Sequence, residues 1–255
     1  MAKTSHTPLR NPFPLVALLL SFALVTAAQA GETPHWVHYR LLNNSATLPK
    51  KVVVIPASVK VFEMTAGGVT EEVPEWSAEA GGNVLKSVAA AIAKTPGMQQ
   101  VQMLRLSPAE KAVVDEHMAL YQLVVNTAAG TTLKHKVRRF DFGIGPGMAA
   151  LLAKTGADAV VMVYGRDYAS TAGRKTKAVL GKIPIVNIFT GDAELGHAFI
   201  HIGIIDLRTG DLLWMNSKYK DGSSNLRDYE DAESLITEIF RWYPGIEQYR
   251  EAYAQ

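Results

Sequence analysis

Residues 159–164 form an uninterrupted apolar run near the middle of the chain, Ala159-Val160-Val161-Met162-Val163-Tyr164. A strand with one face in water alternates apolar and polar residues, whereas a continuous β-branched run is typical of a strand covered on both faces. Such a strand needs sheet neighbours and a packing layer on each side. The run therefore predicts a layered fold with this strand near its centre.

Further strands are indicated by shorter patterns. Lys51-Val52-Val53-Val54-Ile55 is β-branched and apolar, Val59, Val61 and Phe62 are expected to extend the same strand, and residues 69–73 can return as a hairpin partner. Val101, Met103 and Leu104 predict a short strand. Residues 197–207 alternate along a strand, and residues 212–215 predict its hairpin partner.

Four helices are predicted between these strands. The first begins at Asn83 and ends before Pro96-Gly97, and the second begins at the capping box Ser107-Pro108-Ala109-Glu110. The third opens at Pro146, and the last begins near Asp228 and buries Ala232, Leu235, Ile236, Ile239 and Phe240.

The order of these elements predicts an α/β fold: a single domain with a mixed β-sheet flanked by helices, ending in a β-hairpin plus helix. The domain is expected to span residues 51–243. An extended lead-in (31–50) precedes it, a long irregular segment (166–196) interrupts it, and a C-terminal tail (244–255) follows it.

The first thirty residues have the order of a signal peptide. Lys3 and Arg10 precede an apolar run of roughly 11 residues, and Ala28-Gln29-Ala30 is a small-x-small cleavage site before Gly31. A membrane anchor is the alternative, but a spanning helix needs about 20 apolar residues. We expect cleavage between Ala30 and Gly31, a periplasmic mature chain, and no transmembrane anchor after signal removal.

Charge and cysteine content exclude several classes of protein. The chain has 26 basic and 24 acidic residues, so loss of Lys3 and Arg10 leaves the two balanced, which gives no reason to expect a nucleic-acid partner. Cysteine is absent, which excludes disulfides, a thiolate nucleophile and a lipid-modified cysteine. The exported domain must therefore be stabilised by its hydrophobic core.

Histidine is the first residue type to consider for a metal site. His197 and His201 are four residues apart, but the surrounding pattern is a strand, so their Cα atoms should lie roughly 13 Å apart, too far for one ion. His35 and His38 fall in the lead-in. We predict no metal site.

Catalytic and cofactor signatures are weak. Gly143-x-Gly145-x-Gly147 before a helix could bind an anion, but Pro146 lacks an amide N–H and no G-K-[ST] follows, so a tight turn is favoured. The members of a Ser–His–Asp triad converge only in space, and the sequence has no G-x-S-x-G elbow. We predict no catalytic residue and no cofactor.

The most distinctive local segment is Asp206-Leu207-Arg208-Thr209-Gly210-Asp211-Leu212-Leu213-Trp214. Asp206 can accept hydrogen bonds from turn amides, and Gly210 can adopt a positive φ. Trp214 should pack on the sheet. We therefore predict a structural motif consisting of Asp206, Arg208, Thr209, Gly210 and Trp214.

The segment 166–196 is the best candidate for function. Arginine and tyrosine beside an apolar stretch are common at protein interfaces, and the predicted interaction residues are Arg166, Asp167, Tyr168, Arg174, Ile183, Ile185 and Phe189. A membrane-inserting hairpin is disfavoured by Pro184 and by poor alternation. A packed loop with no partner is the remaining alternative.

Three segments carry a family resemblance: Gly156-Ala157-Asp158-Ala159-Val160, Gly173-Arg174, and the segment from Asp206 to Trp214. Together they resemble a group of uncharacterised bacterial periplasmic proteins. More remotely, residues 50–243 resemble the α/β domain of the TolB amino-terminal part, the curli-export lipoproteins and the lipoprotein activators of penicillin-binding proteins. This resemblance implies a non-enzymatic module that binds other envelope proteins. The chain differs from the lipoproteins in having no acylated cysteine.

The sequence therefore predicts a non-enzymatic periplasmic protein that acts as a protein-interaction or assembly module of the cell envelope, with other envelope proteins or further copies of itself as partners. A periplasmic hydrolase is one alternative, and a small-ligand-binding protein using the loop from Gly143 to Gly147 is another.

Overall fold

The computed structural model describes residues 35–43, 48–65, 69–130, 141–170, 196–221 and 225–244. Within them, eight strands form one mixed sheet: β1 (His35–Val37), β2 (Lys51–Val54), β3 (Ser58–Met64), β4 (Thr70–Glu72), β5 (Gln99–Val101), β6 (Ala159–Ser170), β7 (His197–Asp206) and β8 (Leu212–Asp221). Five helices accompany them: α1 (Tyr39–Asn43), α2 (Pro74–Lys94), α3 (Pro108–Gly130), α4 (Ala149–Thr155) and α5 (Tyr229–Phe240).

The sheet has the strand order β1-β8-β7-β6-β2-β5, and β3 and β4 branch from β6. Strand β6 pairs in parallel with β2 through residues 159–161 and with β3 through residues 164–170. On its other side it pairs antiparallel with β7. The predicted α/β fold with a mixed sheet is confirmed, and the apolar run at 159–164 is its central strand.

Two hydrophobic clusters cover the two faces of the sheet. On the first face, α2 and α5 pack over Val161, Val163 and the even-numbered residues of β7. On the second face, α3, a 3-10 turn (Pro146–Met148) and α4 pack over Val160, Met162 and Tyr164. Because successive strand residues point to opposite faces, the continuous apolar run supplies both clusters.

The predicted hairpins are present, and so are the predicted caps of α3 and α5. Strand β4 pairs antiparallel with β3, and β8 pairs antiparallel with β7. The amide of Ser107 donates to Glu110 Oε2 (2.6 Å), and the amide of Glu110 donates to Ser107 Oγ (3.3 Å), which is a capping box. Asp228 caps α5 by accepting from the amides of Glu230 and Asp231.

The first long helix begins earlier than predicted. It starts at Pro74, not at Asn83, because proline suits the first helical turn. Gly81 and Gly82 in its interior lower helix propensity and conceal this start. Asn83 is not an N-cap; its side-chain amide donates to the carbonyl of Arg227 (2.6 Å) and ties α2 to the loop before α5.

Four expected boundaries also differ. Residues 58–64 form a separate strand after Pro56, which has no N–H to donate to a ladder, and the short strand is Gln99–Val101. The lead-in expected at 31–50 includes β1, paired with β8, and the helix α1. Residues 166–170, expected to begin the irregular segment, continue β6 because β3 and β7 pair with them.

Candidate functional site

Strand register places an aromatic group on the second face of the sheet, at the end of β6 that follows Tyr164. Tyr164, Arg166 and Tyr168 alternate along β6 and therefore share a face. Phe62 of β3 and His197 of β7 lie directly opposite Tyr168 on its two sides. The topology thus brings together residues more than 130 positions apart.

The rings form a row across four strands. Phe62 stacks on Tyr168 with ring centroids 5.0 Å apart, and Tyr168 stacks on His197 at 4.6 Å. His197 in turn contacts Tyr219 of β8 at 5.6 Å. Such cross-strand aromatic pairs stabilise a sheet and fix the side chains in place.

Arg166 lies between this row and the covered part of the sheet. Its guanidinium carbon is 5.7 Å from the ring centroid of Phe62 and 5.8 Å from that of Tyr164, which is within cation–π range. One terminal nitrogen donates to the Tyr168 hydroxyl at 3.4 Å. That hydrogen bond raises the pKa of Arg166 further, and the guanidinium is a cation at physiological pH.

The helix layer does not bury this end of the sheet. The second hydrophobic cluster extends to Tyr164 and Phe199. Farther along the strands, Arg166, Tyr168 and His197 are half-buried, and Tyr219 is 56% exposed. We call Phe62, Arg166, Tyr168, His197 and Tyr219 the sheet-face surface.

His201 lies at the inner margin of this surface. It is buried and stacks on Tyr164 with ring centroids 5.9 Å apart, while Phe199 meets it edge to face. Burial lowers the pKa of His201 to about 4, so the ring is neutral at pH 7. Its role is to pack the sheet beside the exposed aromatic row.

Asp167 faces the opposite side of the sheet from Arg166 and Tyr168. It is 1% exposed, and its Oδ2 accepts from the amide of Leu226 at 2.9 Å. Burial raises the pKa of Asp167 despite that hydrogen bond. Asp167 therefore anchors the loop before α5 and is not accessible on the predicted interaction surface. Arg174, Ile183, Ile185 and Phe189 lie outside the described residues.

The segment from Asp206 to Trp214 forms the β7–β8 turn. Asp206 accepts from the amides of Arg208 (2.8 Å) and Thr209 (3.2 Å), and Gly210 has φ 77°. Trp214 is fully buried on the first face. These residues have the geometry of the predicted turn, and Arg208 is exposed.

The glycine loop before α4 packs on this turn. The amide of Ile144 donates to the carbonyl of Gly210 (2.9 Å), and a Cβ at Gly210 would lie 2.0 Å from the carbonyl oxygen of Gly145. The two backbones touch, so this contact needs a glycine. Since the Ile144 amide is already used, the geometry favours the tight-turn interpretation over an anion-binding loop.

The histidines of the sheet do not form a metal centre. His197 contacts Tyr168 and Tyr219, whereas His201 contacts Tyr164 and Phe199. Across the ranges that the structure describes, no three histidine, aspartate or glutamate side chains are grouped to hold an ion. No helix within those ranges is long and apolar enough to cross a membrane.

Sequence reasoning identified Arg166 and Tyr168 but missed Phe62, His197 and Tyr219. Alternation along β7 does place His197 on the same side as Phe199. The register between strands was the missing signal, because contacts between β3, β6 and β8 depend on how distant segments align.

No protein-family model matches the sequence, and no curated protein is significantly similar to it. Among solved structures, a PelC dodecamer from Paraburkholderia phytofirmans is 14% identical with a TM-score of 0.39, covering 84% of this chain and 96% of that one. A variant PelC dodecamer from the same organism is 13% identical with a TM-score of 0.37, covering 78% and 90%. Similarity at this level does not establish a shared function. The resemblance to TolB and the envelope lipoproteins stays a prediction.

Proposed function

We propose that this chain is a non-enzymatic interaction or assembly module of the bacterial cell envelope, and that it binds a partner protein through the sheet-face surface. The observation that supports this proposal is the half-buried aromatic row, with Arg166 beside it, on a part of the sheet that the helix layer leaves accessible. Tyrosine and arginine are the residue types most often found at the energetic centre of interfaces.

The stacking favours binding because it fixes the side chains in advance. A mobile side chain loses conformational entropy on binding, at roughly 0.5–1.5 kcal/mol for each immobilised group. Tyr168 is held between Phe62 and His197, and Arg166 is held by two rings and a hydroxyl. Less entropy therefore remains to be lost when a partner docks.

The same proposal includes export of the protein to the periplasm. Residues 1–30 have the signal-peptide pattern, and cleavage would begin the mature chain at Gly31; both lie outside the described residues. Mass spectrometry of the amino-terminal peptide from the periplasmic fraction tests this step. Recovery of an uncleaved chain from the cytoplasm would contradict it.

Site-specific photo-crosslinking in intact cells tests the binding surface. A photo-reactive residue at Tyr168 should capture a partner, while one at Tyr39, which is 42% exposed outside the surface, serves as the matched control. We expect a crosslinked species from position 168 that position 39 does not give. Identical patterns, or none at position 168, would contradict the proposal.

Alanine variants then assign the binding energy. With the photo-reactive residue at Tyr219, which is also in the surface, Tyr168→Ala should weaken capture about 30-fold or more, since truncating an interface hot-spot tyrosine costs about 2 kcal/mol or more. Arg166→Ala and Arg174→Ala should also weaken it, the latter lying outside the described residues. Circular dichroism confirms that each variant is folded. Unchanged capture by all three would rule out this surface.

A further inference from the structure

We infer that Arg166 recognises a carboxylate, and that the partner of the sheet-face surface is a protein segment carrying an aspartate or glutamate among apolar side chains. This inference rests on the proposed function and specifies the chemistry of its partner. It begins from the hydrogen-bonding state of the guanidinium.

The described part of the chain leaves most of the Arg166 donors unused. A guanidinium has five N–H groups. One terminal nitrogen reaches the Tyr168 hydroxyl at a long 3.4 Å, and Nε is buried with no acceptor in the described ranges. None of the ion pairs between described residues includes Arg166. The other N–H groups belong to the two terminal nitrogens at the end of the guanidinium.

The neighbouring charges do not neutralise this cation. Lys60 lies directly opposite Arg166 across the β3–β6 pairing. Its ammonium group already binds Glu72 Oε2 at 2.7 Å, so that carboxylate has a partner. The positive charge of Arg166 is therefore uncompensated by the described residues around it, and an approaching anion is attracted.

A carboxylate fits this site for geometric reasons. The planar guanidinium edge presents parallel N–H groups that match the two oxygens of a carboxylate, whereas an ammonium group is a point charge. Phe62 and Tyr168 flank the guanidinium and offer apolar area to the residues beside the carboxylate. A peptide with glutamate between apolar residues satisfies both requirements, and inorganic phosphate satisfies only the first.

Titration of the isotope-labelled protein, produced by expressing the full chain, tests the inference directly. The probe is a capped five-residue peptide of alternating leucine and glutamate, and its control has glutamine in place of glutamate. We expect the Nε–Hε resonance of Arg166 to shift with the glutamate peptide and not with the glutamine peptide. A third arm uses inorganic pyrophosphate, which we expect to bind more weakly than the glutamate peptide.

Matched charge variants assign the effect to this side chain. Arg166→Gln should weaken glutamate-peptide binding about tenfold or more, as expected for a lost charged hydrogen bond. Arg166→Lys should weaken binding less, because lysine keeps the positive charge. Some weakening should remain, because lysine lacks the planar pair of N–H donors that matches a carboxylate. Arg208→Gln removes the same charge from the turn after the opposite end of β7, which lies roughly 23 Å along the strand from the residue paired with Arg166, and should leave binding unchanged.

Several results would overturn the inference. These are equal binding of the two peptides, tighter binding of pyrophosphate, or equal losses in Arg166→Gln and Arg208→Gln. The proposed function has its own test. If position 168 still captures a partner but the glutamate and glutamine peptides bind equally, the proposed interaction surface is retained and the carboxylate preference is rejected.

Discussion

Single residues on the second face of the sheet differ sharply in their electrostatic surroundings. Arg166 is a half-buried cation that two aromatic rings and a hydroxyl group stabilise. His201 lies in β7, two residues beyond the residue that pairs with Arg166. It is buried among aromatic rings, and burial lowers its pKa to about 4. The open end of the sheet thus tolerates a cation that the covered part excludes.

The buried His201 should make the fold sensitive to acid. Its folded pKa is about 4 against 6.5 in the unfolded chain, so its stabilising contribution is complete above pH 6.5 and is lost as pH falls through 4. At pH 5 the loss is on the order of 2 kcal/mol. Urea unfolding at pH 7.5 and pH 5 measures it.

The non-titrating variant His201→Gln is the control for this effect. Its free energy of unfolding should fall less between the two pH values than that of the natural chain. Equal falls in both proteins would show that other groups, such as the carboxylates, cause the acid sensitivity. The stability of the variant at pH 7.5 reports the packing cost separately.

At the scale of elements, close contact between α3 and β7 depends on Gly203. The ring of Tyr121, which is fully buried, lies over this glycine. A Cβ there would be 2.6 Å from Tyr121 Cε2 and 2.9 Å from a Leu212 methyl carbon. The helix can approach the strand because no side chain separates them.

Two glycine substitutions should therefore have opposite effects. Gly203→Ala should destabilise the fold by about 1–3 kcal/mol, because a packed core resists an added methyl group. Gly82→Ala, in the interior of α2 with no atom within 4 Å of the new Cβ, should stabilise it by about 0.5–1 kcal/mol. Thermal and urea unfolding measure both. Equal effects of the two substitutions would contradict the contact.

At the scale of the whole molecule, the sheet separates the hydrophobic core into two clusters. Ile236 of α5 belongs to the cluster on the first face, and Ile144, in the loop before α4, belongs to the cluster on the second face. Layers pack about 10 Å from a sheet on either side, so these side chains do not touch. Each cluster should respond to substitution independently.

Conservative variants in the two clusters should therefore be additive. Ile236→Val and Ile144→Val should each destabilise the protein by about 0.5–1.5 kcal/mol. The double variant should equal their sum to within about 0.5 kcal/mol, as found for distant sites. Urea unfolding of the four proteins gives the coupling energy. A coupling above about 1 kcal/mol would show that the sheet transmits strain between its faces.

Local chemistry in the sequence was sufficient to determine the central strand, the two hairpins and the caps of α3 and α5. The run at 159–164, the Ser107–Glu110 box and Asp228 act on neighbours within a few residues, so their effects follow from the local order of residues. The start of α2 was missed because Gly81 and Gly82 weaken a helix that tertiary packing stabilises.

Only the tertiary structure decided which side chains form the candidate site. Arg166 and Asp167 are adjacent in sequence, yet β-sheet alternation directs one to the accessible face and buries the other beneath the loop at Leu226. Phe62 and His197 reach Tyr168 because β3 and β7 align on either side of β6. That register depends on the packing of distant segments, which no local pattern specifies.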